Sequence, residues 1–205
     1  MHDTELFEQL PFGKINDYTN SFHTDETDAP LEALRQRAEA EHVSVVAPNG
    51  ASMLRALVSM HKPKLILELG TAFGVSTYHM KKAQPKDGKL ITLELVSERQ
   101  ETAKAFLKEE GYGEEDIAFI CGDFRDDALF RSLHDEHGAF DFVFIDAAKG
   151  QYAHLLEVIL SLLNKNGVVV FDNVFLNGWL IRDEYPNHRQ KTAFVRMKKF
   201  LDDVK

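Results

Sequence analysis

From residue 64 onward, short apolar runs alternate with amphipathic stretches. KLILEL (64–69), GKLITLEL (88–95), IAFICG (117–122), AFDFVFID (139–146) and VVVFD (168–172) have the length and near-continuous hydrophobicity of strands buried on both faces. Between them, STYHMKKAQ (76–84), ERQETAKAFLKEE (98–110), DDALFRSLHDEH (126–137) and YAHLLEVILSLLNK (152–165) carry apolar positions at helical spacing. Ser97 is placed to cap the second of these helices, Gly111 to end it and Gly167 to end the last. Strands spaced by amphipathic helices predict an α/β fold with a doubly wound, mostly parallel, Rossmann-like sheet.

Ahead of this alternation the pattern is helical. Pro30 sits in the first turn of APLEALRQRAEAEHV (29–43), and a second helix runs through ASMLRALVSMHK (51–62). Residues 1–28 are polar with scattered apolar positions and read as short helical pieces that dock elsewhere. One domain is expected over 1–205, with a helical extension over 1–60 and the core over 64–205.

Composition narrows the class. The chain has 205 residues, 44% of them hydrophobic, which suits one well-cored domain. A net charge of −9 gives no bulk attraction to nucleic acid or membranes. The single cysteine, Cys121, cannot form an intrachain disulfide, so a reducing cytoplasm is expected, with Cys121 packed in its strand. No apolar run approaches the roughly 20 residues needed to span a bilayer, and the acidic start is no signal peptide.

The chemistry lies at the strand ends. Glu68-Leu69-Gly70-Thr71-Ala72-Phe73-Gly74 follows the first strand, and Ser76-Thr77 opens the next helix. Its glycines allow close approach of a ligand, or alternatively only a tight turn. Gly-x-x-x-Gly after a glutamate suits a cofactor with an amino-acid head, such as S-adenosylmethionine, better than a pyrophosphate. Glu94 ends the second strand, placed to accept from ribose hydroxyls, and Gly122-Asp123 ends the third, near an adenine amine. Asp146, Asp172 and Asn173 follow the fourth and fifth strands; as a set they are hard oxygen ligands for Mg²⁺, whereas either acid alone could cap a turn. Lys149 would enter the same mouth as a general base.

Over roughly residues 40–180 these motifs resemble the Mg²⁺-dependent class I O-methyltransferases of the catechol and caffeoyl-CoA type. The resemblance implies cofactor contacts from Val46, Glu68, Gly70, Gly74, Ser76, Glu94, Gly122, Asp123, Phe124 and Asp146. It implies metal ligation by Asp146, Asp172 and Asn173, and catalysis by Lys149 with Asp146. INDY (15–18), FIDAAKGQY (144–152) and DNVFLNG (172–178) are similar to the bacterial branch that methylates 5-hydroxyuridine at the tRNA wobble position. The acceptor is therefore expected to be tRNA, or alternatively a small catechol-type molecule, each offering two vicinal oxygens to one cation. A non-catalytic cofactor-binding protein is the third reading. Such enzymes usually add an antiparallel hairpin after the fifth strand, for which this sequence offers no segment. The tail over 172–191 is expected to form a loop over the site, in which Trp179 and Arg182 either meet a planar substrate or are simply packed and solvated. Arg189, Lys191, Arg196, Lys198 and Lys199 form the most basic stretch, which either meets tRNA phosphates or is a solvated helix face. A homodimer is expected.

Overall fold

The computed structural model describes residues 14, 18–19, 21, 28–147, 149–182, 185 and 187–205. The short helical pieces expected over 1–28, INDY included, lie largely outside the described residues.

Five strands, β1 (Leu65–Leu69), β2 (Lys89–Glu94), β3 (Ile117–Cys121), β4 (Phe140–Ile145) and β5 (Leu163–Phe171), form one parallel sheet in the order β3-β2-β1-β4-β5. The strand order reverses between β1 and β4, so a crevice opens there at the carboxyl edge. Helices α1 (Ala29–Ala40), α2 (Pro48–His61), α3 (Val75–Ala83) and α4 (Ser97–Glu109) bury Leu31, Leu54, Met80 and Phe106 with Ile66, Leu90, Phe142 and Phe144 of the sheet. Helices α5 (Asp127–His137), α6 (Tyr152–Leu160) and α8 (His188–Asp203) bury Phe130, Leu155 and Met197 with Leu67, Ile91 and Val143. The alternate residues of each strand thus serve two separate cores, which is why the strands read as apolar throughout. The short α7 (Trp179–Arg182) lies before α8.

Several boundaries differ from the sequence reading. Helix α2 begins at Pro48, not Ala51, because proline at the first helical position has the right φ and lacks only an N–H that would be unpaired there. Ser97 is the first residue of α4 and not its cap; Val96 holds the cap position and Ser97 Oγ turns to Glu98. Gly111 does end α4, at φ 90°, with the Gly111 and Tyr112 amides donating back to the Lys108 and Leu107 carbonyls.

Helix α6 ends at Leu160, well before Gly167. Leu162 is buried and its carbonyl accepts from Phe140 N, and Leu163 already pairs with Phe140 in the sheet. The pairing then jumps to Phe142–Val168, leaving 164–167 as an irregularity within β5. The expected loop over 172–191 contains a 3₁₀ turn at Leu176–Gly178, then α7 and the start of α8. Cys121 is exposed, not packed, because β3 is an edge strand. No helix among the described residues is long and apolar enough to cross a membrane.

Candidate active site

The register of the sheet aligns the polar strand ends. Leu69 pairs with both Leu93 and Ile145, Glu94 with Cys121, and Ile145 with Phe171. The residues one step further, Gly70, Glu94, Gly122, Asp146 and Asp172, therefore emerge along one edge. Asp146 N donates to Leu69 O (2.9 Å) and Asp172 N to Ile145 O (3.0 Å), which seats the two acids beside each other and beside the glycine loop.

Beneath the loop lies Glu68, with no exposed surface. Its carboxyl accepts from Ser76 Oγ (2.5 Å), Thr77 Oγ1 (2.5 Å) and Thr92 Oγ1 (2.7 Å), tying β1 to β2 and to the first turn of α3. Burial pushes the Glu68 carboxyl up to about 7, against the pull of those three hydroxyls. Ser76 is itself buried, so Glu68 and Ser76 underpin the loop from below. Gly74 begins α3 at φ 88°, and a Cβ there would crowd Ala103 and Leu107 of α4.

Glu94 Oε2 accepts from Ala72 N (2.9 Å), and Oε1 from Leu95 N and Val96 N (3.0 Å each). A carboxylate offers about four acceptor sites, so one remains for a ligand hydroxyl. Glu94 lines a cleft of about 310 Å³ with Gly70, Arg99, Phe124, Asp146 and Lys149. Asp123, one residue before Phe124, is clamped by the Arg125 guanidinium, which pulls its carboxyl down to about 2. Gly122 packs against Leu129, where a Cβ would clash. Val46 turns into the core, and its carbonyl accepts from Arg35 Nη1; its neighbours Ser44 and Val45 face the clefts instead.

Lys149 Nζ donates to Asp146 Oδ1 (2.5 Å), Tyr152 Oη (2.9 Å) and the Asp172 carbonyl (3.3 Å). The Tyr152 phenol is pushed well above its ordinary range by burial and then by the charges of Asp146 and Asp172. The Asp172 carboxyl is raised by burial and then by Asp146, with Lys149 opposing. A carboxyl whose charge is opposed by burial and by a neighbouring acid at a cleft fits a bound cation. Asn173, at φ 50°, uses Oδ1 to accept from Asn177 N (2.8 Å), leaving a second lone pair on that oxygen. Among the described residues no group of three or more His, Cys, Asp or Glu gathers as a metal site, so two carboxyls and one amide remain the candidate set.

A second cleft of about 590 Å³ adjoins the first, and Ser44 lines both. Its walls include Asp172, Asn173, Phe175, Trp179 and Arg182, with Asn49 from α2 opposite. Trp179 and Arg182 thus line a cleft beside Asp172 and Asn173. Ser44, Asn49, Arg99 and Tyr152 were not anticipated. Tyr152 was signalled only by its place three residues after Lys149, and the others carry no motif.

The sequence model for the family described as O-methyltransferase matches residues 22–204. The chain is 33% identical over 168 residues to a catechol O-methyltransferase of Niastella koreensis, covering 82% of this chain and 75% of that protein. It is 30% identical over 161 residues to a caffeoyl-CoA O-methyltransferase of Zinnia elegans, covering 74% of this chain and 63% of that protein. Among solved structures it is similar to the O-methyltransferase TomG of Streptomyces achromogenes in complex with SAM, with 27% identity, a TM-score of 0.76 and coverage of 92% and 82%. SAH-bound PaMTH1 of Podospora anserina matches with 26% identity, a TM-score of 0.75 and coverage of 95% and 88%.

Proposed function

The chain belongs to the O-methyltransferase family, and from that premise we propose that it moves the methyl group of S-adenosylmethionine, with a divalent cation such as Mg²⁺, onto one of two vicinal oxygens of a small planar acceptor. The observation that carries this reading is the meeting of two clefts at Asp146, Lys149 and Asp172. The glycine-loop cleft suits the cofactor: Glu94 has an acceptor site left for ribose hydroxyls, and Phe124 offers a ring face to the adenine. Glu68, Gly74, Ser76 and Gly122 act there as supports of the loop and of the strand ends, Asp123 stands next to Phe124 as a further cofactor contact, and Val46 is buried in the core. The adjoining cleft suits the acceptor, with Trp179 and Arg182 as its planar and cationic walls.

Asp146, Asp172 and Asn173 would hold the cation. When bound, the cofactor supplies an electrophilic methyl group and the cation a Lewis acid that lowers the acceptor's hydroxyl pKa. The chain's own work is positional. Lys149, in its neutral form, receives the hydroxyl proton at Nζ, and the cleft walls hold the acceptor oxygen in line with the methyl group. No covalent nucleophile from the protein is required.

The small-molecule acceptor is favoured by the net charge of −9, by the volume of the second cleft, about 590 Å³, and by the similarity to a catechol O-methyltransferase. The second reading, 5-hydroxyuridine in tRNA, draws its support from the exposed Arg189, Lys191, Arg196, Lys198 and Lys199 on α8. Labelled methyl transfer from S-adenosylmethionine with Mg²⁺ separates them, with a catechol and a hydroxyuridine-bearing tRNA supplied in parallel. EDTA-sensitive label in the catechol is the expected result. Label in the tRNA alone moves the assignment to RNA, and label in neither, with the cofactor bound, removes the vicinal-oxygen acceptor.

A further inference from the structure

The Tyr152 side chain is 1% exposed, and its hydroxyl lies 2.9 Å from Lys149 Nζ, 2.9 Å from the Asp172 carbonyl and 3.2 Å from the Ile145 carbonyl. A phenol has one proton to donate. Both carbonyls are pure acceptors, so that proton goes to one of them and a phenol lone pair is left facing Nζ. Ile145 ends β4 and Asp172 follows β5, so one hydroxyl gauges the lysine against the two strand ends that carry Asp146 and Asp172. Its ring is fixed from behind, with centroids 4.9 Å from Phe171 and 5.8 Å from Phe200.

The other strong partner of Lys149 is less constant. Asp146 Oδ1 is its carboxylate acceptor, and the same carboxyl is a proposed cation ligand. A cation drawing on Asp146 competes with Nζ for those lone pairs. The Tyr152 hydroxyl and the Asp172 carbonyl do not depend on that exchange, and the hydroxyl is the nearer of the two.

We propose that Tyr152 is the positioning residue for Lys149: its hydroxyl holds Nζ at the junction of the two clefts when Asp146 turns to the cation. This rests on the reading of Lys149 as proton acceptor given above. Tyr152 touches no substrate, since it lies beneath the lysine and its hydroxyl is spent on backbone carbonyls and Nζ.

The test is a double-mutant cycle with Tyr152→Phe and Lys149→Met, read as kcat and KM separately. Tyr152→Phe keeps the ring between Phe171 and Phe200, so a melting temperature near wild type is expected. The loss of the hydrogen bond between the Tyr152 hydroxyl and Lys149 Nζ should lower kcat by up to about tenfold while acceptor and cofactor KM move less than about threefold. Lys149→Met should lower kcat by a larger factor, and adding Tyr152→Phe to it should lower kcat no further. A wild-type kcat in Tyr152→Phe overturns the positioning role alone. The same factor lost in both backgrounds also overturns it, since that marks a structural effect independent of the lysine. A wild-type kcat in Lys149→Met overturns the reading of the base, and the positioning role with it.

Discussion

Gly70 and Asp146 touch backbone to backbone: a Cβ on Gly70 would overlap the carbonyl oxygen of Asp146. The glycine of the first loop is therefore as much a requirement of the β4 terminus as of any ligand. At φ 107° it also occupies a conformation that side chains rarely adopt.

Gly70→Ala is accordingly expected to cost about 2 kcal/mol or more of stability and to displace Asp146. Urea unfolding checks the first effect. Cofactor titration checks the second, and a loss of cofactor affinity greater than tenfold is the expected outcome.

Glu68 links stability to pH. Its carboxyl is raised from 4.5 to about 7 in the folded chain. Below about 4.5 both folded and unfolded chains hold the proton and nothing is lost. As pH rises toward 7 the unfolded chain releases it first, so Glu68 progressively destabilises the fold, by up to about 3 kcal/mol. Glu68→Gln has no charge to bury; its amide oxygen can still accept from the Thr77 and Thr92 hydroxyls while its NH2 donates to Ser76 Oγ. Unfolding free energy measured from pH 5 to 8 should fall less steeply in this variant than in wild type.

Asp172→Asn separates stability from function. Burial and Asp146 both oppose charge on Asp172, so the amide should stabilise the metal-free fold by about 1 kcal/mol. The same change removes a proposed cation ligand, so Mn²⁺ affinity, read by calorimetry, should weaken at least tenfold. A variant both less stable and unchanged in Mn²⁺ binding would contradict the assignment of this carboxyl.

Trp179→Ala and Arg182→Ala act on the wall of the second cleft, proposed above to hold the acceptor and distinct from the glycine-loop cleft. Acceptor KM is expected to rise about tenfold, the worth of one aromatic or charged contact, with cofactor affinity unchanged. Steady-state kinetics alongside cofactor titration checks this split.

Much of this was legible because parallel strands are buried on both faces and stand out as unbroken apolar runs. The strand ends then name themselves: Glu94, Asp146 and Asp172 are acids where an apolar run stops. What was not legible depends on neighbours distant in sequence. Leu162 and Leu163 continue the helical period of α6, yet their partner is Phe140, so the helix ends early. Cys121 has strand chemistry on both sides, but only strand order puts it on an edge. Ser44 and Arg99 reach the cofactor cleft from segments with no signature of their own. Val46 is buried whereas Ser44, two residues before it, lines the cleft, and nothing in that stretch of sequence distinguishes the two.

The methyl transfer proposed above turns on a cation held through Asp146 beside the glycine loop. The direct measurement uses EDTA-treated wild type and Asp146→Ala, both shown to be folded by circular dichroism. Each is given labelled S-adenosylmethionine and a catechol, with and without restored Mg²⁺. Label is expected in the catechol only for wild type with Mg²⁺, with a rate at least about 10²-fold lower for Asp146→Ala. EDTA-resistant transfer by wild type, or a wild-type rate in folded Asp146→Ala, would contradict it.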